Sequence, residues 1–287
     1  MFIKDAIEFG VKLLRKAGVK EAHIDASVLL SYLLKEPPAY FIAHSDEHLS
    51  FEVLKKYDAL LERRKKREPI AYLVSEKEFY GRKFYVNESV LIPRPDTETL
   101  VEAVLKAYEK DAEVNFLDLC AGSGVIGITL LAELPNAKGM LADISKSALT
   151  VAENNLAEFK LSPRAVVVES DLFKNITGKF DLITVNPPYI PTQDLKNLEP
   201  DVFDFEPTLA LDGGEDGLAF YREIIKTAPD FLKRGGALYM ELGFDEAEEV
   251  KRLMSGKFTD IKTYRDLAGI ERVISGMKHE DIGDKGK

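Results

Sequence analysis

The 287-residue chain is poor in cysteine and histidine, has no long apolar run, and carries no basic excess. Its single cysteine, Cys120, excludes an internal disulfide framework and suits a reducing compartment. No stretch reaches the roughly 18 consecutive apolar residues of a membrane span. The opening Met-Phe-Ile-Lys-Asp-Ala-Ile-Glu carries acids and has no apolar core, so it does not read as a secretory signal. A cytoplasmic protein with no membrane partner is the expectation. The four histidines, His23, His44, His48 and His279, stand away from the strand ends inferred below, which argues against histidine-dependent hydride transfer. No metal site is expected, and there is no internal repeat or low-complexity tract.

The net charge is −10, whereas a protein that grips long nucleic acid carries a strong basic face. Residues 1–78 hold 14 Lys/Arg against 13 Asp/Glu, and the remainder 25 against 36, so the acidity is concentrated in the larger part. The run Arg63-Arg64-Lys65-Lys66-Arg67 has two readings. It can be a solvated helix end complementing the C-terminal dipole, or a small contact patch for an RNA-rich or acidic partner.

Apolar residues make up 45% and charged residues 31%, as in an ordinary globular protein, with room for one large or two modest domains. Residues 1–75 read as helical. Ala6, Val11, Leu13, Leu14 and Ala17 fall at helical spacing, Asp25 is placed to cap a helix ending at Pro37-Pro38, and Phe51 to Leu61 forms another amphipathic series. Residues 76–92 suggest a β-hairpin joining two domains, with Phe79, Tyr80, Phe84, Tyr85, Val86 and Val90 around Gly81 and Asn87. Ile92 to Glu98 then leads into a capped helix. Strands are expected at 114–119, 138–143, 164–169, 180–185, 235–241, 258–265 and 270–275, with helices beginning near 97, 124, 145, 216 and 245. Such alternation implies an α/β domain over 93–287, a mostly parallel sheet with helices on both faces. The short turn Leu267-Ala-Gly269 implies an antiparallel pair at one edge, and the polar tail after Gly276 is expected to fray.

The segment Phe116-Leu-Asp118-Leu-Cys120-Ala-Gly122-Ser-Gly124-Val-Ile-Gly127 follows the first strand of this series and opens a helix. Gly122, Gly124 and Gly127 match G-x-G-x-x-G, and Asp143 lies about 20 residues on, where an acid can bind ribose hydroxyls. Taken alone the pattern fits NAD, FAD or S-adenosylmethionine. Asp118 discriminates: four residues before the first glycine, its carboxylate can approach the ligand's amino acid moiety, where it would repel a pyrophosphate and attract the ammonium of S-adenosylmethionine. The glycine loop, Asp143, Asp171 and Asn186 end the first four strands of the series and so converge on one crevice.

Asn186-Pro187-Pro188-Tyr189 interrupts a β-branched apolar run. The prolines fix φ and lack an N–H, so the chain leaves the strand in a rigid turn. The Asn186 side chain and the Pro187 carbonyl are then available to accept both hydrogens of a planar NH2 group stacked on Tyr189. Asn-Pro and Pro-Pro are also ordinary turn signals. In that reading Asn186 caps a helix, Asp171 caps a turn and Tyr189 is a wall.

Together these residues resemble the class I S-adenosylmethionine-dependent methyltransferases, and more closely the HemK/PrmC family of release factor glutamine methyltransferases. The resemblance extends to Arg67-Glu-Pro-Ile-Ala-Tyr-Leu73, Glu78-Phe79-Tyr-Gly81, Val90-Leu-Ile-Pro-Arg-Pro-Asp-Thr-Glu98, Glu206-Pro207 and Leu209-Ala-Leu-Asp-Gly-Gly214, and so covers nearly the whole chain. It implies a Rossmann-like methyltransferase sheet with an antiparallel edge hairpin, behind a small helical substrate-recognition domain. It implies methyl transfer from S-adenosylmethionine, leaving S-adenosylhomocysteine, to the side-chain nitrogen N5 of the glutamine in the Gly-Gly-Gln motif of peptide chain release factors. By position, Cys120, Ala121, Gly122, Ser123 and Gly124 would line the methionine end of the cofactor. Asp143 would hold the ribose, and Asp171 and Leu172 would lie by the adenine. Asn186, Pro187, Pro188 and Tyr189 would hold the glutamine, with Asn186 also close to the cofactor. Cys120 stands where the family often has glycine, Leu172 where an aromatic is common, and Glu246 where a glutamine often follows Glu-x-Gly. Arg94 would bind a ligand or clamp the two domains. The competing reading is an N6-adenine methyltransferase acting on DNA or RNA, which shares the Asn-Pro-Pro-Tyr element but calls for a basic channel. A non-catalytic cofactor-binding scaffold is a third.

Overall fold

The computed structural model describes residues 1–279. Its elements begin with α1 (Ile3–Lys16), α2 (Ala22–Leu34), α3 (Tyr40–Ala43), α4 (Phe51–Lys65) and α5 (Ile70–Val74). There follow β1 (Glu76–Phe79), β2 (Arg82–Tyr85), α6 (Glu98–Leu105), β3 (Asn115–Leu119), α7 (Val125–Glu133), β4 (Lys138–Asp143), α8 (Lys146–Glu158), β5 (Ala165–Glu169) and β6 (Phe180–Val185). The last elements are α9 (Pro200–Phe203), α10 (Ala219–Phe231), β7 (Leu232–Glu241), α11 (Ala247–Met254), β8 (Phe258–Arg265) and β9 (Glu271–Lys278). The chain divides into two units. Residues 1–76 and 199–205 form the first, and 77–198 with 206 onward the second. Residues 199–205, which the sequence pattern alone leaves in the α/β domain, thus belong with the helices. No helix among the described residues is long and apolar enough to cross a membrane.

In the first unit Ile3, Ala6, Val11 and Leu14 of α1 recur at helical spacing and pack with Leu29 and Leu30 of α2 and Leu61 of α4. Ser50 caps α4 by accepting the Val53 N–H at 3.2 Å. Asp25 is not the cap expected of it. The helix already starts at Ala22, and Asp25 accepts the Arg64 Nε at 2.7 Å with both side chains buried. Burial pushes the Asp25 carboxyl up, and the Arg64 guanidinium opposes that rise. Arg64 also donates to Asp201 at 2.5 Å, Arg67 donates to the same carboxylate, Arg63 pairs with Glu68, and Lys65 pairs with Glu62. Most of the basic run is therefore committed to acids of its own unit. Truncating Arg64 strands a buried carboxylate, so Arg64→Met is expected to destabilise the first unit by about 3 kcal/mol. A chemical denaturation midpoint unchanged from wild type would contradict this.

In the second unit the seven-stranded sheet has the order β5-β4-β3-β6-β7-β9-β8. Strands β3 to β7 pair in parallel, while β9 runs antiparallel to both β7 and β8. Alternation sends Phe116 and Leu182 into one apolar cluster and Leu117, Leu119, Ile183 and Val185 into another, so both sheet faces are covered. After β5 the chain crosses back to place β6 beside β3, so the strand order reverses between these two. The carboxyl ends at such a reversal form a ligand crevice. Strand β9 continues to Lys278, with Met277 opposite Ala237, so the fraying expected after Gly276 does not begin there. Residues 280–287 lie outside the described part. The segment 76–92 holds only two four-residue strands, and its Phe79 and Phe84 are core residues of the second unit rather than parts of a free-standing linker. Helix α6 follows a 3-10 turn at Pro95–Thr97 without a side-chain cap.

Candidate functional site

A cleft opens at the carboxyl ends of β3, β4, β5 and β6. Cys120, Ala121, Gly122 and Ser123 line it from the loop after β3, and Asp143 from the end of β4. Asp171 and Leu172 contribute from beyond β5, and Asn186 and Pro188 from the exit of β6. Nine of the residues expected at a site thus share one wall. The remaining expected residues, Asp118, Gly124, Pro187 and Tyr189, do not line it.

The loop after β3 is a chain of left-handed residues, with φ of 54° at Cys120, 54° at Gly122 and 81° at Gly124. A Cβ at Gly122 would meet nothing within 4 Å, so this backbone faces open cleft. A Cβ at Gly124 would stand 2.9 Å from Ile128 and 3.1 Å from Leu141, so that glycine serves close helix–sheet packing instead. Asp143 fixes the loop: one carboxylate oxygen accepts the Gly122 N–H at 2.8 Å and the other the Ser145 N–H at 2.9 Å. Each oxygen keeps lone-pair capacity toward the cleft. Burial raises its pKa, and the backbone donors oppose that rise. Asn155 ties the loop to β2 by donating to the carbonyls of Ser123 and Tyr85.

Asp118 corrects one expectation. It is fully buried beneath the loop, accepting the Gly127 N–H at 2.9 Å and the Thr184 hydroxyl at 2.8 Å. It braces the loop from below and does not reach into the cleft. Tyr189 corrects another. Its ring packs against the core of one sheet face, and its hydroxyl points to Glu241 Oε1 at 3.5 Å. A Cβ at Gly213 would stand 2.7 Å from the Tyr189 backbone, and one at Gly217 2.5 Å from its carbonyl oxygen. Two glycines of the loop that includes the Leu-Ala-Leu-Asp-Gly-Gly element therefore clamp the exit of the Asn-Pro-Pro-Tyr turn. Gly213 completes the clamp by donating its N–H to Ile190 at 2.8 Å.

The Pro-Arg-Pro-Asp-Thr-Glu element holds the other side. Arg94 donates to the buried Glu206 at 2.6 Å, and Glu206 also accepts the Ile92 N–H at 3.0 Å. Arg94 is thus a cleft-lining clamp inside the second unit. Asp96 pairs with Arg272 at 3.3 Å, and Glu98 accepts the Tyr80 N–H at 2.8 Å. Thr97 receives the Asn186 side-chain NH2 at 3.4 Å. Each polar residue of the element therefore ties down a different segment around the cleft. Thr97 and Glu241, both about 2% exposed, were not expected at the site. Glu241 was visible only as the acid of Glu-x-Gly, without a partner.

Burial pushes the carboxyls of Asp118, Glu241 and Glu246 up to about 7. An unfolded chain releases these protons near pH 4, so the folded state binds more protons between about 4 and 7. Stability from each group is complete below that window and is lost as pH rises through it. In Asp118→Asn the neutral amide can serve the same two partners, so the variant is expected to lose less stability than wild type between pH 5 and pH 8. Urea midpoints at the two pH values check this, and parallel losses in both proteins would contradict it.

The chain is also similar to known proteins along most of its length. Residues 5–74 match the PrmC N-terminal domain, and residues 95–201 the methyltransferase small domain. The release factor glutamine methyltransferase of Caulobacter vibrioides is 39% identical, with 93% of each chain covered. That of Geobacter sulfurreducens is 40% identical, with 96% of each covered. Among solved structures, a Pyrococcus furiosus methyltransferase superposes with a TM-score of 0.53 at 18% identity, over 77% of this chain and 97% of its own. The Thermus thermophilus 16S rRNA N2 G1207 methyltransferase, solved with AdoMet and guanosine, superposes with a TM-score of 0.51 at 17% identity, over 71% of this chain and 50% of its own. At such identities these two support the fold alone. The near-full-length relatives carry the assignment further: the chain is an enzyme that belongs to the release factor glutamine methyltransferase family.

Proposed function

We propose that the chain transfers a methyl group from S-adenosylmethionine to the side-chain amide nitrogen N5 of the glutamine in the Gly-Gly-Gln motif of release factors. The observation that carries this reading is the placement of Asn186. It lines the cleft at the exit of β6, beside the glycine loop, with its NH2 group committed to Thr97. Its amide oxygen is then the atom offered to a ligand.

The cleft suits the cofactor. Asp143 offers carboxylate oxygens for ribose hydroxyls, and the backbone at Gly122 is open for close approach. Ala142, Leu172 and Phe220 supply apolar walls for a purine. When bound, S-adenosylmethionine supplies an electrophilic methyl on a positively charged sulfur. The protein's own residues prepare the acceptor. An amide nitrogen is a weak nucleophile because its lone pair is delocalised into the carbonyl. Asn186 Oδ1 and the carbonyl of Pro187, the next residue of the turn although it does not itself line the cleft, are the two acceptors this reading assigns to its N–H bonds. Those bonds strengthen as the nitrogen becomes positive, so they favour the transition state over the ground state. Orientation by the rigid Pro-Pro turn supplies the remainder. Tyr189 contributes through its wedged backbone and not as a stacking platform. A release-factor substrate also places the enzyme in the cytoplasm, and the helical first unit is the natural surface for recognising the rest of that substrate.

Asn186→Ala is expected to keep cofactor affinity while losing methyl transfer by about two to three powers of ten, the scale of a lost oxyanion donor. Mass spectrometry of release factor after incubation with enzyme and cofactor reads the result as one methyl on the glutamine. Near-normal turnover by the variant, or wild-type transfer to DNA or RNA in place of release factor, would reject the proposal.

A further inference from the structure

Asn and Gln amides have two ends of almost identical shape, so a catalytic amide needs neighbours that tell its oxygen from its NH2 group. Thr97 cannot do this by itself, because a hydroxyl both donates and accepts. Glu241 stands where it can. Strand register pairs Val185 with Met240, so Asn186 and Glu241 leave neighbouring strands side by side. Glu241 is 2% exposed, and its Oε2 has no hydrogen-bond partner among the described residues. Its other oxygen lies 3.5 Å from the Tyr189 hydroxyl. A fully buried acid with an orphaned oxygen, placed directly behind the functional turn, is costly to keep for packing alone.

We propose that Glu241 is a positioning residue for the reaction: a buried acceptor that, with Thr97, holds the Asn186 amide with its oxygen toward the cleft. This inference rests on the role given to Asn186 above. An ionised carboxylate only accepts. Facing it, Asn186 presents its NH2, and Thr97 can accept from Asn186 while donating onward. A neutral carboxyl or carboxamide lets this chain run in either direction, and the amide can then turn its NH2 to the cleft, where it repels the substrate's own N–H groups.

The charge of Glu241 should therefore appear in the rate. Burial raises its pKa to about 7, opposed by the neighbouring polar groups of Thr97 and Asn186 and by the charge of Arg272, while Asp96 adds to the rise. Arg272 remains charged, paired with Asp266 and Asp96. Tyr189 and Tyr221 are pushed well above their ordinary range by burial and stay neutral. Glu246, held by the Gly243 N–H at 2.9 Å, and Asp118, bonded to Thr184 beneath the glycine loop, are also raised to about 7 and titrate in the same window. As pH falls through that window, Glu241 gains a proton and turnover drops.

The test measures kcat, KM and cofactor Kd from pH 5.5 to 8.5 for wild type, Glu241→Gln, Thr97→Val, Thr97→Ser and Glu246→Gln. Glu241→Gln is expected to lower kcat about ten- to hundredfold at high pH, as loss of a supporting partner does, with cofactor Kd within about twofold of wild type. Its rise of kcat with pH should vanish, whereas Glu246→Gln should keep that rise. Thr97→Val should lose rate similarly, and Thr97→Ser should recover most of it. If Glu241→Gln and Thr97→Val turn over like wild type with an unchanged pH profile while Asn186→Ala is inactive, this inference is overturned and the role of Asn186 stands. If Asn186→Ala is itself active, the underlying proposal fails instead.

Discussion

The arrangement depends on the constraint placed on one side-chain amide. Asn186 lines the cleft, and its NH2 group is taken by Thr97 at 3.4 Å. What surrounds it serves to keep it there. The prolines that follow remove two backbone donors and fix the turn. Gly213 and Gly217 close on the Tyr189 backbone so tightly that no side chain fits between. Arg94 with Glu206, Asp96 with Arg272, and Glu98 with the Tyr80 N–H hold the segment that carries Thr97. Rigidity of this kind fits a reaction in which positioning and two hydrogen-bond acceptors, without a strong base, prepare a poor nucleophile.

The sheet explains why these parts meet. Reversal of strand order between β3 and β6 brings the glycine loop and the Asn-Pro-Pro-Tyr turn to the same end of adjacent strands. Buried acids then fix each component from behind: Asp118 beneath the glycine loop, Glu206 beneath Arg94, and Glu241 behind the turn. Two of these acids, Asp118 and Glu241, and the nearby Glu246 have carboxyls raised to about 7, which costs stability at neutral pH. That cost is consistent with a site organised for function over maximal stability.

Much of this was legible in the chain. The strands of the α/β domain show as short β-branched and apolar runs bounded by turn residues, and the observed sheet follows them closely. Asp143, Asp171 and Asn186 fell at strand ends, where topology alone brings them together. What was not legible depended on partners distant in sequence. Asp25 reads as a cap by its neighbours, but Arg64, 39 positions away, makes it a buried ion pair. Asp118 was given a ligand because its position suggested proximity, whereas Thr184, 66 positions on, holds it under the loop. Thr97 and Glu241 lie in separate stretches that only the fold joins to Asn186, and no local pattern announces such a contact. Residues 199–205 belong with the helices because Asp201 completes the Arg64 and Arg67 pairs, which composition cannot reveal.

The central claim is geometric, and a crystal structure of the enzyme with S-adenosylhomocysteine and a glutamine peptide from release factor tests it most directly. The account predicts the peptide's amide nitrogen between the cofactor sulfur and the Asn186–Pro187 pair, with Asn186 Oδ1 and the Pro187 carbonyl both within hydrogen-bond distance of it. A sulfur directed away from residues 186–189, or a peptide amide held by other groups, would contradict it.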